Sequence, residues 1–411
     1  MSPRILHVLS QRPSRTGSGI TLDAVIRLAQ NAGWVQAAVV GIPAGDDAVS
    51  VGLLDTGDIH PLRFLDENGA SGSADLNFKV PGMSDVMPYP SSVWSTLSPE
   101  NLVAYRQVWI HHLKKVIQKF QPDLIHSNHI WLVSSLLKDV APEIPVVTTC
   151  HATGLRQLKL CPQLAAEVIA GCRRHDHFFV LRQDQATQLA ETLKVSRQKI
   201  SVAGVGFRDE IFFPDTPNKN SNGRGLLYVG KFSNAKGLPW LLDAFAVLNK
   251  EQPHLQLHIA GDGAGPEAEV LRQRMKTMGP AVVMHGMLDQ SRLAQLMRRC
   301  QICVLPSFYE GVPLVLVEAA ACGCRLVSTE LPGVLEQIAP ALGSTLKMIP
   351  LPRLRQVDQP YSEDLPRFTE NLLEALKSSL EAPESPMPNL DSFTWNAVFN
   401  RIESVYKSIT S

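Results

Sequence analysis

The sequence predicts two α/β domains, each a doubly wound parallel sheet with helices on both faces, facing each other across a cleft. Three observations carry this. The 411 residues exceed what one hydrophobic core usually serves. Short apolar strands alternate with helix-period segments almost from end to end, the pattern of parallel sheets. A stretch rich in Pro, Asn, Ser and Gly, residues 212–225, interrupts the rhythm once, after which it restarts.

In the first half, residues 4–9, 36–41, 123–127, 145–150, 177–181 and 200–202 read as strands, with helices at 20–33 and 102–120. Residues 57–98 are less regular, and 80–95 are rich in Pro, Gly and Ser with interspersed aromatics, so an ordered, functional loop is expected there. In the second half, strands at 226–229, 255–261, 282–285, 302–305 and 325–328 alternate with helices at 237–249, 266–279, 290–299 and 313–322. The expected domains are residues 1–205 and 206–390, followed by a terminal segment, 391–411, with apolar positions Trp395, Val398, Phe399, Ile402 and Tyr406 at helical spacing. Ligands of such sheets bind outside the carboxyl ends of the strands.

Composition narrows the class. Hydrophobic residues make up 45% and charged residues 19%, an ordinary globular balance. Lys plus Arg and Asp plus Glu each number 39, so no overall positive field gathers nucleic acid. The amino terminus passes straight into a strand and no window reaches ~18 uncharged apolar residues, which leads to the expectation of a cytoplasmic protein. The seven cysteines are odd in number and scattered, as in a reducing compartment. Cys300 and Cys303 form a CxxC, but a helix end running into a strand makes core packing the expectation. The 102–120 segment pairs an apolar stripe with Lys114, Lys115 and Lys119; packing on its own sheet is expected over peripheral membrane docking. His175-Asp176-His177 alternates across a strand and is not expected to hold a metal.

The segment from Leu305 to Gly323 carries the chemistry. A buried strand ends near Ser307, a turn holds Glu310 and Gly311, and Pro313 is expected at the first position of a helix closed by Gly323. Residues 314–321 are apolar all round except Glu318, and a carboxylate there costs several kcal/mol without hydrogen-bond donors. Either protein groups or a ligand must supply them. The helix start at Gly311, Val312, Pro313 and Leu314 is an anion site, with a phosphate expected at the Leu314 N–H, one turn from Glu318. Diphosphate at the helix end and ribose hydroxyls on Glu318 suit a nucleotide.

With Glu310 and Glu318 separated by seven residues, preceded by Leu305-Pro306-Ser307 and followed by Ala319-Ala320-Ala321-Cys322-Gly323, the chain resembles the family-4 retaining glycosyltransferases of the GT-B fold. Gly230-Lys231-Phe232 with Lys236-Gly237 looks like the phosphate loop of that family, Lys231 standing where Arg is more common. Gly261-Asp262-Gly263, Met284-His285-Gly286, Val146 to His151 and Gly204 to Phe207 match further turns and strand ends, with Phe207 in place of a common Asp. The resemblance implies that Glu310 contacts donor sugar hydroxyls, Glu318 the ribose, Lys231 and Lys236 the phosphates, His285 the vicinity of the base, and His151 the sugar. It also implies that Gly17 and Gly19, in a loop after the first strand, approach the diphosphate, and that the last helix crosses back to the first domain. Sugar transferases that use a metal generally carry Asp-x-Asp, which is absent here, so neither metal nor cofactor is expected and the lysines take its place.

A UDP-sugar donor is expected, with a small-molecule, glycan or lipid-linked acceptor. Tyr89 and Trp94 are candidates to stack on that acceptor, and His126, Asn128 and His129 to bond its hydroxyls. Each is equally open to a bracing role. Another GT-B enzyme, such as an epimerase or a phosphorylase, and a non-catalytic nucleotide-sugar binder are the rival readings.

Overall fold

The computed structural model describes residues 3–410 apart from 14–15, 47–48, 67, 69–71, 84–86, 88, 215–224 and 384–385. The chain divides into two compact units, Met1–Gly204 with Trp395–Ser411, and Val205–Thr394. Most of the expected linker and part of the 80–95 loop lie outside the described residues.

In the first unit, β1 (Arg4–Leu9), β2 (Val35–Pro43), β3 (Ile59–Phe64), β4 (Leu124–Asn128), β5 (Val146–Cys150), β6 (His177–Val180) and β7 (Ile200–Val202) form one sheet in the order β3-β2-β1-β4-β5-β6-β7. All its pairings are parallel. β4 and β5 are buried along their whole length, as strands covered on both faces must be, so their sequences read as continuous runs. The sequence reading missed β3. It lies at the sheet edge and contains Pro61, which an edge strand tolerates and which hides the strand from a pattern search.

The helix Pro99–Phe120 starts three residues before its apolar stripe. Ser98 accepts the Asn101 N–H, Pro99 takes the first turn, and Gln121 ends the helix in the left-handed region at φ 49°. Its Tyr105, Trp109, Leu113, Val116 and Phe120 are buried in the core of the unit, so the apolar stripe packs inside the fold. No helix among the described residues is long and apolar enough to cross one. The terminal helix Trp395–Thr410 packs on the helix Gly17–Asn31, burying Val398, Phe399, Ile402 and Tyr406 with Ile5, Val25, Leu124 and Phe179.

In the second unit, β8 (Gly225–Val229), β9 (Gln256–Ala260), β10 (Val282–Gly286), β11 (Ile302–Leu305), β12 (Arg325–Thr329) and β13 (Leu346–Ile349) form a parallel sheet ordered β10-β9-β8-β11-β12-β13. The last strand, β13, was not anticipated; it too is an edge. Both units are thus Rossmann-like. In each, the order reverses at one place, between β1 and β4 and between β8 and β11, and the loops leaving those strands diverge to open a crevice.

Candidate functional site

At the reversal in the second unit, the loops after β8 and β11 meet. Gly237 follows Lys236 at φ 70°, and a Cβ there would sit 2.0 Å from the Pro306 carbonyl oxygen, so only glycine permits the approach. Phe308 is buried against Trp240 and Phe368 and anchors the β11 loop from below. The contact places the Lys236 ammonium 2.7 Å from Glu310 Oε1, which also accepts the Ser307 hydroxyl at 2.8 Å. Glu310 Oε2 accepts nothing from any described residue. Lys231 is exposed at the same edge, its carbonyl taking the Tyr228 hydroxyl at 2.7 Å.

The helix after this loop runs from Leu314 to Ala321, and Pro313 is its cap rather than its first residue. The expected phosphate donor is corrected as well: the Leu314 N–H already donates to the Val312 carbonyl at 3.0 Å. Glu318 lies one turn further on, and no hydrogen bond from a described residue reaches its carboxylate. Burial alone pushes it up to about 7. His285 is partly exposed, and its Nε2 pairs with Nδ1 of His258 on β9 at 3.0 Å. That turn, at Gly286 with φ 67°, gives its carbonyl to the Gly261 N–H at 2.8 Å.

In the first unit, Gly17 and Gly19 are not in a loop. They form the first turn of the helix Gly17–Asn31, whose cap Thr16 accepts the Gly19 N–H. Trp94 is 1% exposed, set edge-on against Tyr105 and Trp131, and its ring has no face left for an acceptor. Tyr89 is also buried, at 6%, so its ring cannot stack on a ligand, and its hydroxyl lies against the Gln11 side chain and the Arg12 backbone. His126 spends both ring nitrogens inside the fold, Nδ1 with the Tyr406 hydroxyl and Nε2 with Thr149 Oγ1, and braces the terminal helix.

His129, Asn128 and His151 do come together. Asn128 Oδ1 holds His151 Nε2 at 3.1 Å, and the His129 and His151 rings lie 4.7 Å apart. His129 has φ 70°, rare for a residue with a side chain. Its N–H donates to the Thr149 carbonyl and its carbonyl accepts the Ser134 hydroxyl, which fix that conformation. Burial holds the His129 ring well below the ordinary histidine range and brings His151 down to about 4, so both are neutral.

Two family models match side by side: Glycosyltransferase Family 4 over residues 85–209 and Glycosyl transferases group 1 over residues 223–346. The chain belongs to these glycosyl transferases. Among relatives, it is 29% identical over 230 residues to the glycogen synthase of Mycobacterium tuberculosis, covering 54% of this chain and 55% of that one. It thus spans about half the length of that relative. A D-inositol 3-phosphate glycosyltransferase of Nocardiopsis dassonvillei is 24% identical over 361 residues, 81% of each chain. Two solved structures share the fold: sucrose-phosphate synthase of Thermosynechococcus elongatus, with TM-score 0.63, 17% identity and 100% and 99% coverage, and Anabaena HepE with UDP and glucose, with TM-score 0.61, 16% identity and 98% and 99% coverage.

In this chain the group 1 region contains Lys231, Lys236, His285, Glu310 and Glu318, and the family 4 region contains Tyr89, His126, Asn128, His129 and His151. Sequence reasoning passed over Ser307 and Gln11. Ser307 was visible only as part of a motif; its hydroxyl is what orients Glu310. Gln11 follows β1, where the Ser18 hydroxyl donates to its Oε1 at 3.3 Å, and its Nε2 is buried without a partner. Nothing in an isolated glutamine signals this. The seven cysteines are free and buried, and among the described residues no group of three or more His, Cys, Asp or Glu is placed to hold a metal.

Proposed function

We propose that this chain transfers a sugar from a nucleoside diphosphate sugar, a UDP-sugar first, to a hydroxyl acceptor with retention of anomeric configuration and without metal or cofactor. The observation that carries the reading is the Lys236–Glu310 pair beside the start of the helix Leu314–Ala321, whose half-buried Glu318 accepts no hydrogen bond from a described residue. In the reaction the bond from the anomeric carbon to the β-phosphate oxygen breaks, and its electron pair stays on the phosphate. The acceptor oxygen bonds the carbon on the same face and its proton passes to the departing phosphate oxygen. Lys231 and Lys236 meet the negative charge that grows there, the task a metal performs elsewhere. Glu310, with Oε1 fixed by Lys236 and Ser307, offers Oε2 to donor sugar hydroxyls. Glu318 accepts from the ribose, and His151 is assigned to the sugar by family resemblance.

The test is turnover of UDP-, GDP- and ADP-hexoses with and without EDTA, with the product anomer read by NMR. Retained configuration and full activity in EDTA are expected. An inverted product, or activity lost to EDTA and restored by Mg²⁺ or Mn²⁺, overturns the assignment. Binding of a nucleotide sugar with no turnover under any condition points instead to the non-catalytic binder.

A further inference from the structure

The loop that carries Lys231 is held from two sides. Lys231 is exposed, and no ion pair with a described residue steadies its ammonium, so the direction of its flexible stem depends on the backbone beneath it. From below, the buried Tyr228 donates its hydroxyl to the Lys231 carbonyl at 2.7 Å. From the side, the loop after β9 takes the Gly230 N–H on the Ala260 carbonyl at 3.0 Å and the Phe232 N–H on the Asp262 carbonyl at 3.2 Å. The approach is close. Gly261 has φ 134°, and a Cβ there would sit 2.0 Å from the Gly230 carbonyl oxygen.

One side chain closes that second loop. Arg272, on the helix Pro266–Thr277, donates through Nη2 to Asp262 Oδ1 at 2.7 Å and to the Gly263 carbonyl at 2.9 Å, and through Nη1 to Glu269. Asp262 Oδ1 also takes the Gly263 N–H at 2.8 Å, and the guanidinium carbon lies 5.7 Å from the centre of the Phe232 ring. The fork thus joins the turn 261–263 to the residue next to Lys231. Its charge is matched by two carboxylates, so it is not offered to a phosphate. Exposed ion pairs add little stability, and what the planar fork supplies is direction. Resting on the transferase reading above, we propose that Arg272 is a positioning residue for transfer: through Asp262, Gly263 and Phe232 it holds the Lys231 backbone so that the ammonium meets the departing diphosphate. In this role Arg272 touches neither donor nor acceptor, and its effect on the reaction passes through Lys231.

The full chain is assayed with UDP-, GDP- and ADP-hexoses as donors and D-glucose, glucose 6-phosphate, myo-inositol and inositol 1-phosphate as acceptors, with release of nucleoside diphosphate as the readout. Arg272→Gln should lower kcat by ~10- to 10²-fold, the scale of a displaced reacting group, while the donor KM stays within about twofold. Arg272→Lys keeps the charge and loses the fork, so it should recover little of that loss. The double-mutant cycle is decisive: in a chain already carrying Lys231→Ala, adding Arg272→Gln should move kcat by less than about twofold. The melting temperature of Arg272→Gln should stay within about 4 °C of the parent. Unchanged kcat in Arg272→Gln, equal losses with and without Lys231, full recovery in Arg272→Lys, or a larger fall in melting temperature overturns the proposal. Failure of every donor to turn over overturns the transferase reading instead, and the same cycle is then read by calorimetry with UDP. A loss of UDP affinity in Arg272→Gln that vanishes in the Lys231→Ala background supports the hold on Lys231, while independent losses, no loss, or no binding of UDP by the parent overturns that too.

Discussion

Lys236 and Glu318 occupy one crevice but are built for different moments of the reaction. The Lys236 ammonium faces charge that grows only as the diphosphate leaves, so Lys236→Ala should lower kcat by ~10²–10³, as loss of one oxyanion donor does. Glu318 faces ribose hydroxyls that barely change, so Glu318→Gln should chiefly raise the donor KM. Equal loss of kcat in both with unchanged KM contradicts the division. Burial, which lifts Glu318 from 4.5 to about 7, adds a pH signature. Ribose hydroxyls donate to the ionised form, so donor affinity should fall about tenfold per unit as pH drops below 7. Stability runs the other way. A folded-state value raised above the unfolded one favours the protonated group, a contribution present below 4.5 and lost as pH rises to about 7. Glu318→Gln escapes that loss, so its gain in melting temperature over the parent should grow between those pH values and level off above them. A gain independent of pH rules out burial of charge as the cause.

At the scale of elements, the crevice depends on two loops touching through Gly237. Gly237→Ala forces a Cβ to within 2.0 Å of the Pro306 carbonyl at φ 70°, so the loops must part. The expected result is a drop in kcat approaching that of Lys236→Ala in a protein whose far-UV circular dichroism is unchanged. Unchanged kcat shows that Lys236 finds Glu310 without that approach. This dependence was only half legible in the sequence. Eleven of the strands left apolar runs and the anion-binding turn left its residue order, because burial on both faces and a tight strand–helix junction each restrict composition locally. The edge strand β3 did not, since edges accept Pro61 and partial exposure. Partners far apart in sequence were also hidden: His285 with His258, and His126 with Tyr406, which are 280 positions apart. Those choices are made by strand adjacency, so candidates with the right chemistry, such as His126 and Trp94, proved to be spent inside the fold.

For the whole molecule, the last sixteen-residue helix decides the state of the first unit. Tyr406→Phe removes the hydroxyl from buried His126 and should cost about 1–3 kcal/mol, read as earlier unfolding of that unit with the second unit's transition unmoved. Deleting residues from Trp395 onward uncovers Ile5, Val25, Leu124 and Phe179 and should make the first unit sensitive to protease. Persistence of a protease-resistant first unit after deletion shows that the helix is dispensable. The same arrangement sets an order of events during synthesis. The second unit is one continuous stretch, Val205–Thr394, and can fold as soon as it clears the ribosome. The first unit begins earlier yet lacks part of its core until the helix from Trp395 has been made, so on the ribosome the half that is started first is completed only after the second.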